Sequence, residues 1–223
     1  MQFIYHEFAG ENSLKIEGEL YKYIFKVRRF NSESNLLLRN LRDKNIYHYT
    51  VSDIDRRKAT LELLKSEEKI IEPKKSLHIA WCIIDPKSVE KYIASLNELG
   101  VAKITFIYCE YSQKQYKPNL EKLEKLLINS SQQCGRSSII ELETCSSLEE
   151  FVKENPDSYM FNFSSNNIHT AKNDIKTIIV GCEGGFSSKE VSAFAKEKIV
   201  GIDNELILKS ETATLSIAGI LLS

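Results

Sequence analysis

The chain is 223 residues long, 42% apolar and 27% charged, and its 30 Lys+Arg against 31 Asp+Glu leave a formal net charge of −1. That length suits one large or two small domains, and the apolar share is enough for a proper core. Overall charge does not announce nucleic-acid binding, so any phosphate-facing surface has to be local. Five scattered cysteines (Cys82, Cys109, Cys134, Cys145, Cys182) with no C-x-x-C argue against a zinc site or a disulfide framework and fit a reducing cytosol. The four histidines, His6, His48, His78 and His169, have no ligand spacing, and no metal is expected. The stretch Met1–Glu7 has no basic n-region ahead of a long apolar core, so no signal peptide is expected. No apolar run approaches membrane-spanning length, and the chain is expected to be cytoplasmic with no membrane partner.

Residues 1 to about 70 read as short strands at Phe3–Tyr5, Leu14–Ile16, Asn35–Arg39, Ile46–Val51 and Ala59–Leu64, with one helical piece, Glu19–Phe30. Several short strands in so small a span suggest a small barrel. Between Leu20 and Lys44 seven basic residues (Lys22, Lys26, Arg28, Arg29, Arg39, Arg42, Lys44) face only Glu33 and Asp43, which is locally +5. Such a segment is either a phosphate-facing patch or a solvated face.

Lys65–Lys75, charged and containing Pro73, reads as a linker. Beyond it the rhythm changes. Leu77–Ile84 is a continuous apolar run, as in a buried strand. Pro86 opens a helix to about Leu99, and Gly100 stops it. Ile104–Tyr108 is the next strand, Asn119–Gln133 a helix with Leu120, Leu123, Leu126 and Leu127 on one face, Ile139–Leu142 a strand, Ser146–Lys153 a helix and Tyr159–Phe163 a strand. This alternation predicts an α/β domain with a parallel sheet covered on both faces.

Three of the nine glycines fall between 181 and 185, directly after the apolar run Ile178–Val180. A helix is predicted from Ser187 to about Lys198, then a short apolar run to Ile202, a polar loop and the apolar segment Ala213–Leu222. Glycine serves where the backbone needs positive φ or something must approach closely, so the loop is a candidate ligand site as well as a plain turn. It has neither the G-x-G-x-x-G spacing of dinucleotide binders nor the Gly-Lys-Ser/Thr of a P-loop.

Taken together, Gly181-x-Glu183-Gly184-Gly185-Phe186-Ser187 and Ile207-Leu208-Lys209-x-Glu211-Thr212-Ala213 resemble the bacterial 16S ribosomal RNA uridine-N3 methyltransferase family of the knotted SPOUT methyltransferases. The usual forms there are G-P-E-G-G-F and I-L-R-x-E-T-A. Cys182 replaces the proline, and Lys209 replaces an arginine, keeping the charge without the planar fork. Glu98-Leu99-Gly100-Val101 matches the family's E-L-G-V. Gln132-Gln133-Cys134-Gly135-Arg136 resembles its E-Q-S-x-R, and Tyr23-x-x-x-Val27-Arg28-Arg29 resembles its H-x-x-x-V-L-R. The resemblance implies a PUA-like β-barrel RNA-binding domain over 1–70. It implies a SPOUT methyltransferase domain with a deep trefoil knot over 74–223, and a homodimer formed through the knotted domain. It also implies S-adenosylmethionine as methyl donor and 16S rRNA of the small ribosomal subunit as substrate.

Donor contacts are then expected at Gly181, Glu183, Gly184, Gly185, Ile202, Leu206, Leu208, Ser210, Thr212 and Ala213, and RNA contacts at Lys22, Lys26, Arg28 and Arg29. Ile202, Leu206 and Leu208 can sandwich an adenine ring or simply be core. Arg136 is a catalytic candidate that can stabilise charge on the uracil oxygens or hold a phosphate; as a charge at a helix end it can equally answer the dipole. Glu211 can take the N3 proton, or be an ordinary early residue of a helix. Cys182 is not needed as a nucleophile, since covalent attack on the ring serves carbon methylation. Two alternatives stay open: a SPOUT enzyme acting on ribose 2′-O, and a non-catalytic RNA-binding assembly factor, which donor binding would discriminate.

Overall fold

The computed structural model describes residues 2–203 and 205–223; Met1 and Asn204 lie outside the described residues. The chain forms two compact units, one of residues up to Glu72 together with Ser131–Ser138, the other of Pro73–Ser130 with Ile139–Ser223. A single cut near residue 70 therefore misses one segment, 131–138, that returns to the first unit.

In the first unit β1 (Ile4–Tyr5), β2 (Ser13–Glu17), β3 (Asn35–Arg39), β4 (Asn45–Ile54) and β5 (Lys58–Glu68) form one sheet in the order β1-β3-β4-β5-β2. β1 runs parallel to β3 and the other pairs are antiparallel. Strand side chains alternate between faces, so β2 buries Leu14 and Ile16 and exposes Ser13, Lys15 and Glu17. The core is completed by Ile4, Leu36, Leu38, Tyr49, Val51 and Leu61. Between β2 and β3 lies α1 (Gly18–Tyr21), continued by a π-helical turn, Lys22–Val27, which buries Ile24 and Phe25. The helical piece expected to reach Phe30 stops there, because Arg29 takes φ +59°, a left-handed conformation that reverses the chain.

Two readings of this region need correction. Lys65–Glu68 belong to β5, paired with Asn45–His48, and are not linker; their exposed charges lie along a solvated part of the ladder. Arg39 is not part of a surface patch. It is buried, its guanidinium donates to the carbonyls of Lys44 (3.4 Å), Asn45 (3.2 Å) and Lys69 (2.6 Å), and it lies 5.5 Å from the Phe3 ring centroid.

The returning segment is tied in by hydrogen bonds. The Gln132 side chain accepts from the Tyr5 N–H (2.8 Å) and its carbonyl from the Gln2 N–H (2.8 Å). Ser137 Oγ accepts from the Ile71 N–H (2.7 Å) and donates to the Lys69 carbonyl (3.1 Å).

The second unit is an α/β structure. Its strands are β6 (His78–Cys82), β7 (Lys103–Ile107), β8 (Glu141–Cys145), β9 (Tyr159–Phe161), β10 (Thr177–Val180) and β11 (Ile199–Val200). They form an entirely parallel sheet in the order β11-β9-β10-β6-β7-β8. Parallel strands buried on both faces read as unbroken apolar runs, and Ile79, Ala80, Trp81 and Cys82 are all fully buried. The helices are α2 (Pro86–Leu99), α3 (Leu120–Cys134), α4 (Leu148–Glu154), α5 (Ile168–Ala171), α6 (Ser188–Ser192) and α7 (Ser210–Leu222). α2 starts where Pro86 predicts, with the Asp85 carboxylate accepting from the Lys87 N–H at 3.0 Å, and ends at Gly100. The helix expected over Ser187–Lys198 is cut to one short piece: Ala195 turns extended, and a 3-10 turn, Lys196–Lys198, delivers the chain to β11. No helix among the described residues is long and apolar enough to cross a membrane.

His78 sits at the start of β6 with Nε2 2.8 Å from Thr105 Oγ1 and its ring edge-on to Phe151. Burial, with Lys103 adding to it, pushes its pKa down from 6.5 to about 4. The unfolded chain therefore binds the extra proton first, and stability is lost as pH falls from 6.5 towards 4. Thermal unfolding followed across that window is expected to show the decline, and His78→Gln to flatten it.

Candidate functional site

The chain order reverses across the middle of the parallel sheet, between β10 and β6, and ligands of open α/β sheets bind beyond the carboxyl ends of strands near such a point. β9, β10 and β11 end side by side there. At the end of β11 a Cβ on Gly201 would lie 2.8 Å from the Asn162 carbonyl oxygen, 2.9 Å from that of Ser164 and 3.0 Å from the Ser164 nitrogen. Only glycine fits between these backbones. The contact is sealed by Gly201 N–H to Asn166 O (2.9 Å) and Ile168 N–H to Gly201 O (2.8 Å).

The glycine loop follows β10. It closes on itself through the Gly185 N–H and the Cys182 carbonyl at 2.9 Å. A Cβ on Gly184 would stand 2.9 Å from the Tyr111 Cβ, so the missing side chain lets the two loops meet. A capping box starts α6: Ser187 Oγ accepts from the Glu190 N–H (3.3 Å) while Glu190 Oε2 accepts from the Ser187 N–H (2.9 Å). Glu190 Oε1 also takes the Glu110 N–H at 2.8 Å, which fastens the loop after β7 to the same point.

The third wall is the approach to α7 and its first turn. Ser210 Oγ donates to the Gly181 carbonyl at 2.5 Å and accepts from Trp81 Nε1–H at 2.9 Å. Thr214 Oγ1 donates to the Ser210 carbonyl at 2.8 Å.

These walls enclose a cavity of about 260 Å³. Of the expected donor contacts, Gly181, Glu183, Gly184, Gly185, Ile202, Leu206, Leu208, Ser210 and Ala213 line it, and exposed Thr212 does not. The sequence reading missed Phe161, Asn162, Phe163, Val180, Cys182, Phe186 and Ile207. Phe161 ends β9 and Asn162 and Phe163 follow it, and the rule that loops at carboxyl strand ends carry ligands was the available signal. Among the described lining residues Glu183 is the one carboxylate and none is basic. An apolar chamber with a single negative side chain suits a ligand with a flat apolar body and a positive group.

Cys182 Sγ lies 3.7 Å from Cys109 Sγ. The hydrogen bond with Cys109, followed by burial, raises the Cys182 thiol pKa. The bond with Cys182 lowers that of Cys109, but the bond with Cys82 and burial outweigh it and push it up to about 12. Both stay protonated at neutral pH and are poor nucleophiles. No metal-binding cluster occurs among the described residues.

The remaining expected residues are placed as follows. Arg136 belongs to the first unit and is buried, with Nε 3.1 Å from Ser138 Oγ and 3.4 Å from Glu72 Oε2. Burial lowers its pKa and Glu72 counters. Glu211 is the second residue of α7, half-buried, and does not line the cavity. Lys22, Lys26, Arg28 and Arg29 are exposed. The Arg28 guanidinium lies 5.4 Å from the Tyr23 ring centroid and donates to its hydroxyl at 3.0 and 3.2 Å.

Residues 72–222 match the model of an RNA methyltransferase domain, and 16–64 that of an RNA methyltransferase PUA domain. The chain belongs to the RNA methyltransferase family. A ribosomal RNA small subunit methyltransferase E of Helicobacter pylori (strain J99) is 38% identical over 223 residues, covering 99% of each chain. The protein of that name from Aquifex aeolicus is 26% identical over 235 residues, with full coverage of both. The fold is shared with a ribosomal RNA small subunit methyltransferase E of Neisseria gonorrhoeae solved bound to S-adenosyl methionine. That likeness has a TM-score of 0.76 at 17% identity and covers 98% of this chain and 95% of the other.

Gly201, outside both quoted motifs, is as constrained as the glycines inside them. Gly201→Ala is expected to lower unfolding free energy by about 1–3 kcal/mol, the cost of forcing an extra methyl into a packed site. Denaturant unfolding measures it.

Proposed function

We propose that this protein transfers a methyl group from S-adenosylmethionine to N3 of a uridine in the decoding region of 16S rRNA, during or after small-subunit assembly. The observation that carries the reading is the single cavity walled by both family motifs, the glycine loop and the approach to α7, across the ends of β9 to β11. Its residues fit the donor. Ile202 and Leu208 offer flat apolar faces to an adenine, Gly181, Gly184 and Gly185 allow close backbone approach, and the Glu183 carboxylate suits a positive centre.

The donor, when bound, supplies an already activated methyl on a sulfonium. The chain's task is to hold the base in line and let the N3 proton leave as the N–C bond forms and the S–C bond breaks. Glu211, half-buried beside the lining Ser210, is assigned as acceptor of that proton, directly or through water. Arg136 is assigned to structure rather than to the reaction, because its guanidinium is committed to Glu72 and Ser138. Lys22, Lys26, Arg28 and Arg29 anchor RNA phosphates from the helical segment of the PUA domain. We further read the first sheet as a PUA-like barrel, the C-terminal segment as threading a deep trefoil knot, and the protein as a cytoplasmic homodimer. Supporting the dimer, Ile207, Phe163 and Leu206 beside the cavity are 80%, 79% and 74% exposed, which is unusual for large apolar side chains.

Mass-spectrometric mapping of rRNA from cells with and without this chain tests the assignment, and the expected difference is one N3-methyluridine in the small subunit. Gly184→Val, which drives a side chain into Tyr111, is expected to abolish donor binding by calorimetry in a folded protein. Replacing Arg28 and Arg29 by Ala is expected to reduce the log–log salt slope of RNA binding by about one to two units, roughly one per lost phosphate contact, with donor affinity unchanged. Arg136→Ala should lower thermal stability and leave the single-turnover rate of the folded protein near wild type. A fall in that rate at saturating RNA would return Arg136 to the reaction.

A further inference from the structure

Trp81, the one tryptophan of the chain, lies fully buried in β6, and none of its sequence neighbours belongs to a motif of the site. A buried indole N–H needs an acceptor, and this one finds Ser210 Oγ at 2.9 Å. The directions of the two bonds at Ser210 are fixed by chemistry. An indole nitrogen can only donate and a carbonyl can only accept, whereas a hydroxyl has one donor and two acceptor positions. Trp81 therefore occupies an acceptor position of Ser210, and the single hydroxyl proton is directed at the Gly181 carbonyl, 2.5 Å away.

The bond joins two cavity walls that lie 29 residues apart in sequence. It also sets the first peptide plane of the loop, since a planar trans peptide with its carbonyl held leaves the following N–H no freedom of direction. The next carbonyl, of Cys182, is held by the Gly185 N–H. Two successive loop carbonyls are thus committed within the protein.

We propose that Trp81 is a positioning residue for the donor site: acting through Ser210, its indole N–H orients the Gly181 carbonyl and locks the glycine loop to the first turn of α7. This rests on the reading of the cavity as the S-adenosylmethionine site. Trp81 does not line the cavity itself, so its influence on a ligand runs through Ser210.

The full-length protein is titrated with S-adenosylmethionine by calorimetry, and Trp81 fluorescence is recorded in parallel. Ser210→Ala is expected to weaken binding about tenfold, the scale of one lost hydrogen bond with its partners left unpaired. Ser210→Thr, which keeps the hydroxyl, should stay within about threefold of wild type. In the ligand-free protein the Trp81 emission should shift to shorter wavelength in Ser210→Ala and hold in Ser210→Thr. Trp81→Phe should weaken binding while kcat at saturating donor changes little, and the double variant should bind no worse than Ser210→Ala, because both changes break one relay. Wild-type affinity in folded Ser210→Ala, or strictly additive effects in the double variant, would overturn the proposal while leaving the donor site in place. No binding by the wild-type protein would overturn the site reading and this inference with it.

Discussion

At one end of the second sheet the backbone has to lie against its neighbours with no side chain between them. Gly201 meets the carbonyls of Asn162 and Ser164, and Gly184 meets Tyr111. Each contact brings a segment from a different part of the chain to the ends of β9, β10 and β11. The cavity exists because these segments come together before any of them can diverge. Hydrogen bonds then fix what steric fit allows: Glu190 holds the loop after β7, and Ser210 holds the glycine loop. Wall positions are thus set by Glu190 outside the lining and by Ser210 at its edge, and most of the remaining lining is apolar.

The first unit solves a different problem. It has few residues for its core, and it places two arginines out of solvent, Arg39 and Arg136. Both are hydrogen-bonded, although the Arg39 Nε–H is left without a partner among the described residues. Arg39 spends its guanidinium on three carbonyls at the rim of the sheet, and Arg136 meets Glu72 and Ser138. Buried cations of this sort act as clips, since a planar fork can gather strands of chain that apolar side chains cannot align. Lys22, Lys26, Arg28 and Arg29, by contrast, are exposed.

Much of this was legible beforehand. β6, β7, β9 and β10 announced themselves as apolar runs because parallel strands are buried on both faces, and α2 because Pro86 and Gly100 mark its ends. The reading slipped where local pattern carries no such information. β8 is an edge strand bearing Glu141 and Glu143, and it was expected too early, at Ile139–Leu142. α6 was expected to run on to Lys198, although the chain has to return to the sheet at Ile199. Within the site, most of the expected motif residues line the cavity, but Thr212 does not, Cys182, Phe186 and Ile207 were passed over inside the motifs, and Asn162 and Phe163 were expected to continue a strand that ends at Phe161. Arg136 stood out through a motif, yet its partner Glu72 lies in a segment that read as linker. Trp81 was hidden inside an apolar run whose burial looked sufficient to explain it.

The return of Ser131–Ser138 to the first unit bears on how the protein is made. Synthesis proceeds from the N-terminus, and domains generally fold as units while it does. Here the first unit emerges without the segment that supplies Gln132, Arg136 and Ser137, so Tyr5, Ile71 and Glu72 have no partners from it until that segment leaves the ribosome. By then β6, α2, β7 and most of α3 have also been translated. The two units are interleaved in time as well as in sequence, and the first is completed only after much of the second has been translated.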